Sequence, residues 1–270
     1  MNPGVQHIVG GKTAPNHIPW QVYIRIALKT SEEECFGSCG GTIIDEGTIL
    51  TAAHCVKFWG AKNCSRPENG RSVVDKSKTY IIAGSASKNG GANSQKVIGL
   101  SNIITHEQYD RKYNNDIAIL KLANRLRFNE NVKAACLPPR SDFAPERSGQ
   151  KAIISGWRTT TTSCEGPSTI LQYASLPLIT NDACTEMYCE INCDAYPRNR
   201  ITENMVCAGD GSQDAGRGDS GGPLIVPKSH SDDTAVVFGV VSWAHGCGRT
   251  AGVYTRVTKY LDWIQRARQM

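Results

Sequence analysis

The amino-acid sequence predicts an all-β protein whose chain ends in an α-helix. Val22, Ile24, Ile26 and Leu28 recur at every second position, as in a strand that is buried on one face. The 270 residues include 26 glycines and 12 prolines but only 7% aromatic residues. This composition is typical of many short strands joined by turns. Together these features favour closed or sandwiched β-sheets.

Further apolar runs continue the strand pattern, and glycines or polar clusters separate them. They cover residues 42–50, 80–83, 117–122, 152–154, 223–226 and 236–241. Only the C-terminus has a clear helical period, because Tyr260, Trp263, Ile264 and Ala267 share a face at spacings of three, four and seven. The sequence therefore predicts a single clear helix, at the end of the chain.

The charge and hydropathy patterns argue against two classes of partner. The net charge of +5 is spread along the chain, and no run of lysines or arginines predicts a nucleic-acid surface. No apolar stretch approaches the roughly 18 residues that a membrane helix needs. We therefore expect neither nucleic-acid binding nor a membrane span. Residues 1–7 also lack the apolar segment of a signal peptide.

Eleven cysteines indicate disulfide bonds and an oxidising compartment, which predicts a secreted, extracellular protein. A metal site is the weaker interpretation. Cys35 and Cys39, like Cys189 and Cys193, are spaced differently from a Cys-x-x-Cys clip, and no paired histidines accompany them. The odd count leaves at least one sulfur for a free thiol or for another chain.

Three short segments carry the residue types that nucleophilic catalysis requires. His54 lies in LTAAHC, Asp116 begins the apolar run DIAIL, and Ser220 lies in GDSGGP. A serine hydroxyl becomes nucleophilic when a neighbouring base takes its proton, and an imidazole can accept and return that proton. A buried aspartate orients the imidazole, and glycine-rich backbone can supply amides for an oxyanion. Each segment alone could be structural, but their combination predicts a catalytic triad.

These segments resemble the signature motifs of the chymotrypsin/trypsin-like serine protease family. The resemblance extends along nearly the whole chain, through the segments IVGG at 8–11, PWQ at 19–21, SGW at 155–157, SW at 242–243 and GVYT at 252–255. It implies a chymotrypsin-like fold of two six-stranded antiparallel β-barrels with a C-terminal α-helix. The implied divisions are a propeptide remnant or foreign segment at 1–7 and a peptidase domain at 8–270. Within that domain, the first barrel covers about 8–125, the second about 126–258 and the helix about 259–269.

The resemblance also implies a role for each residue that matches a family motif. His54, Asp116 and Ser220 would be catalytic, and the backbone amides of Gly218 and Ser220 would form the oxyanion hole. The residues implied in substrate binding are Asp214, Ala215, Ser242, Trp243, Ala244 and Gly252. Cleavage before Ile8 would free an amine that pairs with Asp219 and so activates the enzyme.

Asp214 lies six residues before Ser220, at the position that forms the base of the family's specificity pocket. A carboxylate there implies cleavage after arginine or lysine. Ala215 lacks the hydroxyl that many trypsins have, and an ammonium depends on such extra acceptors more than a guanidinium does. We therefore expect arginine to be preferred over lysine. Gly216 and Ala244 depart from the family's usual cysteine and glycine, so the pocket lacks its usual disulfide and has an extra methyl at its entrance.

The family pattern further implies the disulfides Cys39–Cys55 and Cys184–Cys207. Cys136 matches a cysteine that tethers an N-terminal segment in two-chain relatives, and Cys35 with Cys64 is a plausible nonstandard pair. The sequence leaves the partners of Cys164, Cys189, Cys193 and Cys247 open. Ser85 and Ser94 stand where trypsins bind calcium through glutamates, so no metal or other cofactor is expected.

The resulting hypothesis is a secreted serine endopeptidase that is made as a zymogen. Extra residues near 31–35, 57–71 and 187–197 would rim the cleft, which favours a selective processing or cascade protease. Its expected partners are protein or peptide substrates, protein inhibitors and an unknown activating protease, since His7 is not the usual Arg or Lys before the activation bond. The alternative is an impaired protease homologue that acts as a binding module.

Overall fold

The computed structural model describes residues 12–13, 18–29, 35–57, 73–110, 112–140, 143–157, 168–210, 219–227, 235–245 and 250–270. Within these ranges, fifteen strands form two antiparallel sheets, one for each half of the chain. The all-β class and the C-terminal helix predicted from the sequence are confirmed.

The N-terminal half forms an eight-stranded sheet whose longest path runs β7-β6-β2-β3-β4-β9-β8, with β5 paired to β2. Its strands are β2 (Gln21–Lys29), β3 (Phe36–Asp45), β4 (Thr48–Thr51), β5 (Val73–Val74), β6 (Tyr80–Ala83), β7 (Gln95–Ile98), β8 (Leu100–Thr105) and β9 (Ala118–Leu122). The sheet is a half-barrel, because no pairing joins its end strands β7 and β8. Gly99 alone separates these two strands, and one residue is too short for a hairpin.

The C-terminal half forms a closed six-stranded barrel in the order β11-β10-β13-β14-β15-β12, which closes through β12 onto β11. A short N-terminal strand, β1, adds to β11 from outside this ring. The strands are β1 (Lys12–Thr13), β10 (Lys151–Gly156), β11 (Gln172–Ile179), β12 (Met205–Ala208), β13 (Pro223–Pro227), β14 (Ala235–Trp243) and β15 (Gly252–Arg256).

In the part of the chain that the structure describes, three α-helices lie outside the sheets: α1 (Ala53–Val56), α2 (Asn181–Asn192) and α3 (Leu261–Gln269). Single 3-10 turns occupy Pro145–Ser148 and Val257–Tyr260. Helix α3 buries Trp263, Ile264 and Ala267, which lie on the face that the sequence predicts. Helix α2 was not predicted. Within it only Cys184 and Tyr188 are buried, so its sequence lacks an apolar stripe.

The largest apolar cluster joins the two halves. It contains Val22, Ile24 and Ile26 of β2 together with Ile225 of β13 and Ile264 of α3. A second cluster fills the interior of the closed barrel. Burying the β2 side chains and α3 in one cluster fixes the N-terminal sheet against the C-terminal half, and the candidate site lies where the two meet.

Candidate active site

His54 and Asp116 are joined by two hydrogen bonds. The Asp116 carboxylate accepts the backbone N–H of His54 at 2.8 Å through Oδ1 and faces His54 Nδ1 at 2.7 Å through Oδ2. Because an ionised carboxylate can only accept, Nδ1 carries the hydrogen and Nε2 is left as an acceptor. Helix α1 follows β4 directly and presents the imidazole with one fifth of its side chain exposed. This is the tautomer that a general base needs.

The C-terminal barrel completes the environment of Asp116. Asp116 is fully buried, and Ser242 Oγ of β14 donates to its Oδ2 at 2.5 Å. Thr255 Oγ1 of β15 donates to the Asp116 carbonyl at 2.7 Å. A buried carboxylate is costly unless donors surround it, and here the donors come from both halves of the molecule. The position of Asp116 therefore depends on the association of the two halves.

The residues just before Asp116 adopt a backbone that is uncommon outside glycine. Tyr113 and Asn115 have φ values of 64° and 56°. The Asn115 side chain accepts from the Tyr260 hydroxyl at 2.9 Å and donates to the Gln108 carbonyl at 3.0 Å. Burial, and to a lesser extent the charge of Asp116, raises the pKa of Tyr260, so the hydroxyl remains a donor. Asn115 thus holds the turn that delivers Asp116 to His54.

Replacing Asn115 tests this role of the turn. Asn115→Ala should destabilise the protein more than Asn115→Gly does. Both variants lose the side-chain hydrogen bonds, but only alanine adds the roughly 1–2 kcal/mol that an L-residue pays in the left-handed region. Thermal unfolding should place the alanine variant about 2–8 °C below the glycine variant. Equal melting temperatures for the two variants would contradict a strained turn at this position.

Ser220 lies in a tight turn between Asp219 and β13. Its carbonyl accepts the N–H of Gly40 at 2.8 Å, and the N–H of Gly222 donates to the Asp219 carbonyl at 2.8 Å. Gly221 has a φ of 78°, and a Cβ there would lie 2.7 Å from the Gly40 carbonyl and would also overlap β4. Glycine is required because the turn is pressed against the N-terminal half. The turn thereby places Ser220 where the C-terminal barrel meets the N-terminal sheet.

The turn that carries Ser220 lies close to His54. A Cβ on Gly221 would lie 3.1 Å from Cys55 Sγ, and that sulfur is 3.9 Å from His54 Nε2. No hydrogen bond joins the Ser220 hydroxyl to His54 in this structure. Such catalytic hydrogen bonds often form fully only in the substrate complex. The Ser220 turn and the His54 ring are therefore neighbours where the two halves of the molecule meet.

The other predicted site residues divide into those that the structure describes and those that it does not. Ser242 and Trp243 end β14, Ala244 follows them, and Gly252 begins β15. Asp219 is buried, and its carboxylate packs so closely on Gly156 that no side chain would fit there. The predicted site residues that lie outside the described ranges are Ile8, Asp214, Ala215 and Gly218.

A family model described as Trypsin matches residues 8–264. The chain belongs to the trypsin family. It is 34% identical over 264 residues to Trypsin-1 of Astacus astacus, a match that covers 96% of this chain and 98% of that protein. It is also 34% identical over 252 residues to Ovochymase of Halocynthia roretzi, and 32% identical over 273 residues to Transmembrane protease serine 5 of Homo sapiens.

The matches differ in how much of each relative they span. The Ovochymase match covers 91% of this chain but 14% of that protein, and the Transmembrane protease serine 5 match covers 99% of this chain and 53% of that protein. These relatives support a serine endopeptidase of the trypsin family. None of the helices in the described ranges combines the length and apolar character needed to cross a membrane.

The sequence motifs did not predict a cluster of aromatic side chains at the end of β14. The Trp243 ring lies 5.1 Å from Tyr188 and is stacked on Tyr196 at 6.3 Å with 7° between the planes. Tyr196 is in turn hydrogen-bonded to His245 Nδ1 at 2.5 Å. The extra length at 187–197 was the available signal, because Tyr188 and Tyr196 both lie in it. Sequence alone could not show which surface this segment covers.

The structure contains the two disulfides that the family pattern implies, Cys39–Cys55 and Cys184–Cys207. It adds Cys189–Cys193, which the sequence left open. Cys35 is also disulfide-bonded, and Cys64, its suggested partner, lies outside the described residues, as do Cys164 and Cys247. Cys136 is an exposed free cysteine.

Two features bear on metal binding in the described part of the chain. Cys39, His54 and Cys55 lie close enough together to suggest a metal site, but the two sulfurs form a disulfide and so offer no thiolate. In the segment where trypsins bind calcium, Ser94 Oγ donates to the Gly91 carbonyl at 2.7 Å, and Ser85 Oγ accepts from the Ser87 N–H at 3.0 Å. These hydrogen bonds are formed within the segment itself. That the protein needs no calcium stays a prediction.

Proposed function

We propose that this chain is a secreted serine endopeptidase that hydrolyses peptide bonds after arginine, and less efficiently after lysine. The observation that carries the proposal is the pair of hydrogen bonds that binds His54 to the buried carboxylate of Asp116. That geometry leaves Nε2 free to accept a proton in the cleft beside the Ser220 turn. An inactive binding module is not favoured, since no residue of the triad is replaced.

The proposed reaction follows from the groups in the cleft. Ser220 Oγ attacks the scissile carbonyl carbon while His54 Nε2 takes its proton, and the amides of Gly218 and Ser220 bind the oxyanion. His54 then gives the proton to the leaving amine, and the C–N bond breaks to leave an acyl ester on Ser220. Water attacks this ester with His54 again as the base, which releases the acid and restores the serine hydroxyl. Asp116 stays ionised and stabilises the imidazolium.

The substrate backbone would bind to an open edge of the C-terminal barrel. β13 pairs with β14 through Pro223 and Val240, whereas β15 pairs with β14 as far as Trp243. Beyond Val241, one edge of β14 therefore has no strand partner within the described residues. This edge includes Ser242, which contacts Asp116. An extended peptide can add to such an edge as a further strand.

The specificity of the pocket can be tested with matched peptides that differ only in Arg or Lys before the cleaved bond. The activated enzyme should turn over the Arg peptide faster, because a guanidinium can pair bidentately with Asp214 without the hydroxyl that Ala215 lacks. Asp214→Ser should lower kcat/KM for the Arg peptide by at least about 100-fold, since the buried cation would lose its partner. Equal rates for Arg and Lys would contradict the role given to Ala215. Ser220→Ala is the control for contaminating protease.

Activation would follow release of the Ile8 amine by cleavage after His7. The amine would pair with Asp219, whose buried position next to the Ser220 turn suits a switch that orders the oxyanion hole. Secretion agrees with the disulfides Cys39–Cys55 and Cys184–Cys207. We propose a selective processing or cascade role, an activator other than a trypsin, and regulation by protein inhibitors.

A further inference from the structure

We propose that Arg200 selects substrates with an acidic residue at the fourth position before the cleaved bond. The proposal rests on the proposed function, because it requires a substrate strand at the open edge of β14. It adds a second specificity determinant that is separate from Asp214 and is formed by the extra residues around helix α2.

The first step concerns which substrate side chains reach Trp243. Ser242 contacts Asp116 and is therefore the edge residue nearest the reacting groups, so it lies opposite the residue whose carbonyl is attacked. If the substrate strand runs antiparallel to β14, Trp243 lies opposite the substrate residue that precedes the attacked one. Cross-strand neighbours share a face of a sheet, and residues two apart on a strand share that face. The second and fourth substrate residues before the cleaved bond therefore face the side of Trp243.

The second step concerns where Arg200 lies. Its guanidinium carbon is 4.8 Å from the centroid of the Trp243 ring. The turn that carries it is closed by a hydrogen bond from the Arg200 N–H to the Pro197 carbonyl at 2.7 Å. Tyr196, immediately before this turn, stacks on Trp243 and is hydrogen-bonded to His245. These contacts hold a cation over the indole, an arrangement that the ring quadrupole favours.

Arg200 lies at the end of the Trp243 surface that is farther from the catalytic residues. The second substrate residue is covalently next to the one whose carbonyl is attacked, so it would lie near His54, whose ring is flanked by Tyr113 at 5.7 Å. Arg200 instead lines a groove of about 440 Å³ together with Asn114 and Tyr196. Of the two substrate residues that face Trp243, the fourth one is therefore the neighbour of Arg200.

The third step concerns charge. Arg198, two residues away, is paired with Glu186, and Lys259 is paired with Glu203, whereas Lys112 is a second cation that lines the groove. Within the described residues, Arg200 is in no ion pair. It is half-buried, so solvent screens its charge less than that of a fully exposed side chain.

Two acidic side chains also line the groove. One oxygen of Asp110 accepts the backbone N–H groups of Lys112 and Asn114, at 2.9 and 3.0 Å, and Asp194 is exposed to solvent. Neither of them pairs with Arg200. The cation over Trp243 is thus available to a carboxylate on the substrate.

The test uses the activated enzyme and peptides that share Arg at the cleaved bond but carry Glu, Gln or Lys four residues before it. The Glu peptide should have a kcat/KM about three- to fivefold above the Gln peptide, with Lys lowest, as expected for a partly exposed ion pair. High salt should shrink the ratio. Arg200→Ala should bring the Glu-to-Gln ratio to about one, and Arg200→Glu should favour Lys.

Arg198→Ala is the matched control, because Arg198 is two residues from Arg200, is exposed and is paired with Glu186. The Arg198→Ala enzyme should have the same Glu-to-Gln ratio as the unmodified enzyme. Turnover of a short Arg substrate that lacks the fourth residue should be unchanged in every variant, which checks folding. A Glu-to-Gln ratio of one in the unmodified enzyme, or an unchanged ratio in Arg200→Ala, would overturn the proposal. Absence of cleavage of any Arg peptide would instead overturn the proposed function.

Discussion

Asp116→Asn should lower kcat by about 10⁴-fold while leaving KM nearly unchanged. Three groups donate to the Asp116 carboxylate: the His54 backbone N–H, His54 Nδ1 and the Ser242 hydroxyl. An asparagine has one acceptor oxygen and one NH₂ group, so it cannot accept all three. An NH₂ group facing Nδ1 would force the hydrogen onto Nε2, which could then no longer accept the proton of Ser220.

Steady-state kinetics with an Arg peptide, at a pH where the enzyme is most active, measures this loss. Ser242→Ala is the matched comparison, because it removes one donor and keeps the carboxylate. It should cost far less, about 10- to 150-fold, since a single hydrogen bond to a charged group contributes about 1.5–3 kcal/mol. An Asp116→Asn enzyme with more than a tenth of the original kcat would show that the His54 tautomer does not control the rate.

Arg256→Met should produce a large loss of stability for a single change outside the active site. Arg256 and Glu146 form an ion pair whose side chains are only 12% and 10% exposed. Arg256 also donates to the Met205 carbonyl at 3.1 Å and to Asn181 Oδ1 at 3.3 Å. Removing one partner leaves a buried charge uncompensated, which costs about 3–5 kcal/mol. The melting temperature should therefore fall by roughly 10 °C.

Two further variants separate burial from charge. Lys259→Ala breaks an exposed ion pair with Glu203. It should lower the melting temperature by at most about 4 °C. Adding Glu146→Gln to Arg256→Met removes the orphaned charge and should recover part of the loss. If the double variant were less stable than Arg256→Met, the unpaired carboxylate would not be the cause.

The alternation of Val22, Ile24, Ile26 and Leu28 was sufficient to predict β2, because a one-faced strand leaves a direct imprint on its sequence. The run 42–50 was less informative. It contains parts of two strands, β3 and β4, that are joined by a turn in which the Asp45 side chain accepts the Gly47 N–H at 2.9 Å. Continuous apolar runs do not show where such a turn lies when both strands are buried.

The motifs identified the candidate site residues because catalysis constrains residue types, whereas the supporting contacts depend on the folded path. Asn115 is one example, since its hydrogen bond to Tyr260 joins residues 145 positions apart. Arg200 is another, because its position over Trp243 depends on how the extra segment around α2 returns to the barrel. Neither arrangement has a local sequence period or spacing that could predict it.

Labelling of Ser220 with an organophosphate tests the central claim most directly. The reagent reacts with a serine only when a base and an oxyanion hole activate it. With protein whose N-terminal sequence begins at Ile8, we expect one label per molecule at Ser220, none in Ser220→Ala, and much slower labelling in Asp116→Asn. No label at Ser220 in that same Ile8-terminated protein would contradict the account of a working triad.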